Sequence, residues 1–185
     1  IKTGCDCVLY AQHPSDEAVF EQACREHGAR LHRAGMEPLT LVSHGLDGQV
    51  FDWKTLGGLH IPLLGEHQLH NASTVLTTLE VLAAKGWTIA ESAVREGLSS
   101  VRWPGRFELL ARDPLFIIDG GHNPQCLDAL VQAFRDYLPG RKITFLNGCM
   151  ADKDYGAMFA DLVPFAAGFV TVTPGNPRAL PAERL

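Results

Sequence analysis

The sequence predicts an α/β protein, and three observations carry that prediction. Residues 6–33 run strand, helix, strand. Residues 115–172 repeat that rhythm as strand, helix, strand, helix, strand, the signature of parallel pairing through helical crossovers. Between them lie short strand-like runs broken by Gly45, Asp47-Gly48 and Gly57-Gly58, which point to a small antiparallel section. With 185 residues, 46% of them hydrophobic, the chain has enough apolar mass for one ample domain or two small ones.

In order, Val8, Leu9 and Tyr10 make a first short strand. His13-Pro14-Ser15-Asp16 reads as a turn with a helix cap, and Asp16 and Glu17 suit a helix start. Val19, Phe20, Ala23 and Cys24 share one helical face, Gly28 ends the helix, and a strand over 29–33 follows. Residues 39–42, 49–53 and 59–63 are short strands, with Asp47-Gly48 as a hairpin turn. Val75, Leu76, Leu79, Val81 and Leu82 predict a helix over 72–84, stopped by Gly86. Ile89, Ala93, Val94 and Leu98 predict another over 89–98. Ser99 to Gly105 is a linker, which puts a domain boundary near Trp103: residues 1–102 and 103–185.

The second half is organised around Trp103 to Pro124. Leu115-Phe116-Ile117-Ile118 has the content of a buried strand and runs into Asp119-Gly120-Gly121-His122-Asn123-Pro124. Pro124 fits the first turn of a helix, whose apolar face is Cys126, Leu127, Leu130, Val131, Phe134 and Leu138. Strands over 143–146 and 169–172 flank a helix over 155–163. Polar clusters follow three successive strands: Asp119/His122, Asp152/Lys153/Asp154 and Asn176/Arg178. In a parallel sheet these loops share the carboxyl edge, where open α/β sheets bind ligands and helix N-termini favour anions such as phosphate. Each residue also has a plainer reading. Asp119 can cap a helix, His122 can be satisfied by backbone, Lys153 can sit in a surface ion pair, and Asn176-Pro177-Arg178 can be only a turn.

The net charge of −5 and a pI near 5.9, with no run of Lys or Arg, argue against a nucleic-acid surface. No apolar run approaches the roughly 20 residues of a membrane span. The cysteines, five in number, fit reduced thiols in a cytoplasmic protein better than a disulfide framework. Cys5-x-Cys7 lacks a second pair, and His67-x-x-His70 lacks the glutamate after the first histidine and a nearby third ligand, so no metal site is expected. The opening residues, IKTG, read as the middle of a longer sequence.

Five segments, read together, resemble one family: GEHQLHNA (65–72), WPGRFE (103–108), DGGHNP (119–124), MADKDY (150–155) and TPGNPRAL (173–180). Their order and spacing are similar to those of the folylpolyglutamate synthase/dihydrofolate synthase family of the Mur ligase superfamily. The resemblance covers essentially the whole chain. DGGHNP departs from the family's usual DGAHNP, an exchange expected to be harmless. The resemblance implies that residues 1–102 are the tail of a Mur-ligase-type central ATPase domain, α/β with a small antiparallel section. Residues 103–185 would be a Rossmann-like C-terminal domain with a mostly parallel sheet, cut short at its end. It implies a monomeric ligase that uses ATP and Mg2+ to join L-glutamate to a folate or dihydropteroate through an acyl phosphate.

By the same resemblance Asn71 contacts adenine, in a pocket shaped by His67 and Gln68, and Arg106 reaches the ATP phosphates. Asp119 and His122 lie on the nucleotide, and Lys153 is a phosphate candidate. Asn176 and Arg178 hold the glutamate carboxylate. Trp103 to Arg106 would be the hinge of the two domains. No G-x-x-x-x-G-K-[ST] occurs in the sequence. The phosphate cradle and magnesium ligands are therefore expected in an N-terminal half not included here, and the 185 residues alone are expected to be inactive. Two other readings compete: a non-catalytic nucleotide-binding module, and a metallohydrolase built on His67, His70, Asp119 and His122.

Overall fold

The computed structural model describes residues 1–10 and 13–185, with Pro124 described by its backbone alone. The chain divides into two compact units, Ile1–Arg102 and Trp103–Leu185.

In the first unit, strand β1 (Asp6–Tyr10) pairs in parallel with β2 (Arg30–Ala34), and helix α1 (Pro14–Glu26) connects them. His13, preceding Pro14, caps α1 by accepting from the Ser15 N–H. A three-stranded antiparallel meander follows: β3 (Leu39–Gly45), β4 (Gly48–Trp53) and β5 (Leu56–Ile61). Its first turn is Leu46-Asp47, one residue earlier than the sequence suggests, because Gly45 pairs with Gly48. Gly48 opens β4 at φ +129, where a Cβ would lie 2.5 Å from Ile61 O, so the strands can close only over a glycine. Helix α2 (Glu66–Ala84) packs against β1 and β2, and α3 (Glu91–Ser100) against β5. Phe51, Trp53, Leu59 and Ile61 from the meander meet Leu69, Ala72 and Leu76 of α2 and Leu98 of α3 in one core.

Helix α2 starts six residues before the expected Ala72. Its first two turns are GEHQLHNA, whose polar residues hide the 3.6-residue period, although Leu69 and Ala72 are buried on the core side.

The second unit begins with an antiparallel hairpin, β6 (Glu108–Arg112) and β7 (Leu115–Ile118). Helix α4 (Pro124–Tyr137) packs against α5 (Tyr155–Leu162), and β8 (Ile143–Asn147) pairs in parallel with β9 (Ala166–Thr171). The order β7-α4-β8-α5-β9 is the predicted alternation. The hydrogen-bonded ladders among the described residues are smaller than one continuous sheet: β6–β7 and β8–β9. An aromatic cluster fills this unit, with Phe134 of α4 in ring contact with Phe107, Phe145 and Phe165.

The expectation that 115–118 is a fully buried strand does not hold. Phe116 is 51% and Ile118 45% exposed, while Leu115 and Ile117 are half-buried. The partner of β7 is the antiparallel β6, and a strand in such a pair alternates its side chains between two faces.

Candidate functional site

The residues singled out in the second unit fall into two clusters. The first joins the turn before β6 to the loop after β7. Phe107 N–H donates to Asp119 Oδ2 at 2.8 Å, and Gly121 N–H donates to Asp119 Oδ1 at 2.7 Å. Gly120 N–H donates to Gly105 O at 2.8 Å. Gly105 N–H donates to Glu108 Oε2 at 2.7 Å. Both loops are thus tied to each other by backbone groups that would otherwise lack partners.

The turn pays for its shape in backbone strain. Gly105 sits at φ +71 and Phe107 at φ +44. A bulky residue in that region costs on the order of 1–3 kcal/mol. Phe107 is held there because its side chain is 2% exposed and packs on the rings of Phe134 and Tyr137. Between these two fixed residues stands Arg106, exposed, with Nη1 donating to Gly105 O at 3.1 Å. The guanidinium lies over Gly120, where a Cβ would come 3.0 Å from Nη1.

His122 Nδ1–H donates to Gly120 O at 2.9 Å, which fixes the ring against the loop. Asn123, not Asp119, caps α4: its Oδ1 accepts from Cys126 N–H at 2.9 Å. A Cβ at Gly121 would lie 2.8 Å from Asp119 Oδ1 and 3.3 Å from Cys126 Cβ, so the carboxylate uses the room that the glycine leaves.

The second cluster joins the loops after β8 and β9. Ala151 N–H donates to Arg178 O at 2.8 Å and Leu180 N–H to Cys149 O at 2.9 Å, with a bridge between Met150 and Ala179. Arg178 faces Asp152 at 3.6 Å. Asn176 Oδ1 accepts from Arg178 N–H at 2.9 Å, so the amide side chain shapes the turn that presents Arg178. Lys153 is half-buried in the same loop, and Asp154 caps α5 through Ala157 N–H. Burial pushes the Cys149 thiol up from its ordinary value. Two of the three polar loops are thus brought together, and the third is tied to the Arg106 turn instead.

In the first unit, the polar start of α2 forms a side-chain relay. Asn71, exposed, donates an amide hydrogen to Gln68 Oε1 at 3.0 Å, and Gln68 Nε2 donates to His67 Nε2 at 2.9 Å. Gln49, 1% exposed, donates from Nε2 to Leu63 O at 2.8 Å and Gly65 O at 3.0 Å, which fixes the approach to the helix. His70 packs its ring on Tyr10 at 5.7 Å, with Nδ1 buried and unpaired. Among the described residues no group of three or more His, Cys, Asp and Glu is placed to hold a metal ion. No helix among them is long and apolar enough to cross a membrane.

Sequence reading gave no role to Gln49, nor to Phe107 and Glu108 within WPGRFE, because each acts through backbone geometry. The helix start at Pro124 was legible, whereas its cap is Asn123 and not the Asp119 that the sequence offered.

Residues 105–185 match the family model described as Mur ligase, glutamate ligase domain. The chain is 36% identical over 155 residues to a folylpolyglutamate synthase of Lacticaseibacillus casei, covering 83% of this chain and 34% of that protein. It is 35% identical over 144 residues to a dihydrofolate synthase/folylpolyglutamate synthase of Mycobacterium tuberculosis, covering 75% and 30%. It thus spans about a third of the length of these curated relatives. Among solved structures it resembles a Mycobacterium tuberculosis folylpolyglutamate synthase complexed with ADP and AMPPCP. There the TM-score is 0.82 at 31% identity, covering 97% of this chain and 41% of that one. A complex of such a synthase with AMPPCP and folate gives a TM-score of 0.80 at 29% identity, covering 95% and 44%.

Proposed function

This chain is a homologue of the folylpolyglutamate synthase/dihydrofolate synthase ligases with a Mur-type glutamate ligase domain at residues 105–185, and from that premise we propose that it works within an ATP-dependent amide ligase. The reaction joins L-glutamate to a folate, or to dihydropteroate. A carboxylate is a poor acyl donor. ATP therefore transfers its γ-phosphoryl group to the carboxylate, releasing ADP. The glutamate amine then attacks the acyl carbon, a proton is lost, and phosphate leaves. The protein's part is positioning and charge stabilisation.

The observation that most supports this reading is the pair of cross-tied loops that present Arg106 beside Gly120, Gly121 and His122. An exposed guanidinium on a braced turn suits a polyphosphate, since its planar donors make multidentate oxygen contacts. In this proposal Arg106 contacts the phosphates, and Asp119 and His122 line the nucleotide. Asn71 offers its amide to the adenine edge, because an amide supplies both a donor and an acceptor. Lys153 serves a phosphate, and Arg178, presented by the Asn176 turn, takes the glutamate carboxylate. Magnesium is assigned to no residue of this chain. Without a P-loop motif, the 185 residues alone bind nucleotide but do not turn it over. The protein is cytoplasmic and monomeric in this reading.

The test is a ligation assay on the full-length protein with ATP, glutamate and either folate or dihydropteroate, read by mass spectrometry. The expected result is a product heavier by one glutamyl residue, with ADP formed only when both co-substrates are present. ATP consumption indifferent to both would overturn the proposal.

A further inference from the structure

We infer that Asp119 acts as a positioning residue for Arg106: its carboxylate clamps the 105–108 turn onto the 119–121 loop and so aims the guanidinium at the bound phosphates. This rests on the nucleotide reading above and specifies how that site is held.

Four observations carry it. Both carboxylate oxygens are engaged, one by Phe107 N–H at 2.8 Å and the other by Gly121 N–H at 2.7 Å. A carboxyl group offers an acceptor oxygen at both positions, whereas an amide would turn an N–H toward one of the two donors. The Phe107 bond holds a residue at φ +44 directly beside Arg106. The Gly120 N–H bond to Gly105 O closes the turn from the other side, and Arg106 Nη1 shares that carbonyl at 3.1 Å. A long, flexible arginine is thereby fixed at its base on both sides, which reduces the freedom it must lose on meeting a phosphate. Gly120 and Gly121 complete the device, since a Cβ at either would press on Arg106 Nη1 or on Asp119 Oδ1 respectively.

A direct contact between Asp119 and the ribose makes a different prediction, so a double-mutant cycle separates the two. ATP binding to the full chain is measured by titration calorimetry, with folding checked by circular dichroism and amide exchange read by NMR. Arg106→Ala weakens binding by roughly ten- to a hundredfold, the worth of a charge-assisted contact. Asp119→Asn weakens it by about tenfold and speeds exchange of the Phe107 amide. In the Arg106→Ala background the Asp119→Asn penalty falls below about twofold, because there is no guanidinium left to aim. If Asp119→Asn does not fold, Asp119→Glu, which keeps the carboxylate but displaces it by one methylene, follows the same non-additive pattern. Additive penalties overturn the inference. So does an Asp119→Asn penalty that disappears with 2′-deoxy-ATP, which marks a ribose contact. No effect of Arg106→Ala overturns the phosphate role of Arg106 itself, and the positioning inference falls with it.

Discussion

At the residue scale, Gly121 shows how little room the loop leaves. The space a Cβ would need is taken by Asp119 Oδ1 at 2.8 Å and Cys126 Cβ at 3.3 Å. Gly121→Ala is expected to destabilise the protein by about 1–3 kcal/mol, the usual cost of overpacking. Denaturant unfolding monitored by circular dichroism measures it, and an unchanged midpoint would show that the carboxylate yields freely. Asp6 supplies a second, independent prediction. Hydrogen bonds from Lys85 Nζ and His32 Nε2, each at 2.6 Å, with Arg30 nearby, hold its carboxyl down to about 2. A depressed carboxyl contributes stability that is present above its ordinary pKa and is lost as pH falls through the folded value. The contribution of Asp6 therefore fades from pH 3.8 down to about 2. Asp6→Asn should flatten the acid-unfolding profile in that window, and an identical profile would remove Asp6 from the account.

At the element scale, single polar side chains hold the approaches to helices α4 and α2. Asn123 caps α4 ahead of Pro124. Asn123→Ala should cost about 1 kcal/mol while Asn123→Asp keeps most of the stability, as measured by thermal unfolding. Equal losses from both would argue that the cap bond contributes nothing. Gln49 matters more because it is buried and holds two carbonyls, Leu63 O and Gly65 O. Gln49→Leu removes this donor from Leu63 O and leaves Gly65 O with the Gln68 N–H, at a cost of roughly 1–3 kcal/mol in chemical denaturation. The same elements show what was legible in the sequence. Pro124, the β1–α1–β2 rhythm and the Leu115–Ile118 strand announce themselves through local chemistry. The first two turns of α2 do not, because the period is interrupted by His67, Gln68, His70 and Asn71. Gln49 and Glu108 were hidden for a different reason: each matters only through backbone groups that the fold brings to it, Gln49 from 14 and 16 residues away. The exposed faces of Phe116 and Ile118 likewise depend on which strand pairs with β7, and hydrophobicity along the chain does not specify that.

At the scale of the whole molecule, the chain comprises two compact units meeting in sequence at Arg102–Trp103. Helix α3 ends at Ser100, and Trp103 is 62% exposed. Limited trypsin digestion should cut first after Arg102, giving two fragments that resist further cleavage; early cuts inside α2 or α4 would contradict separate units. In the proposed function Arg106, Asp119 and His122, all of the second unit, line the nucleotide. The most direct test of that claim is an amide NMR titration of the full chain with ATP. The account predicts saturable shifts concentrated at residues 105–108 and 119–122, with Arg106→Ala abolishing or right-shifting them. Shifts confined to other residues, or none at millimolar ATP, would contradict it.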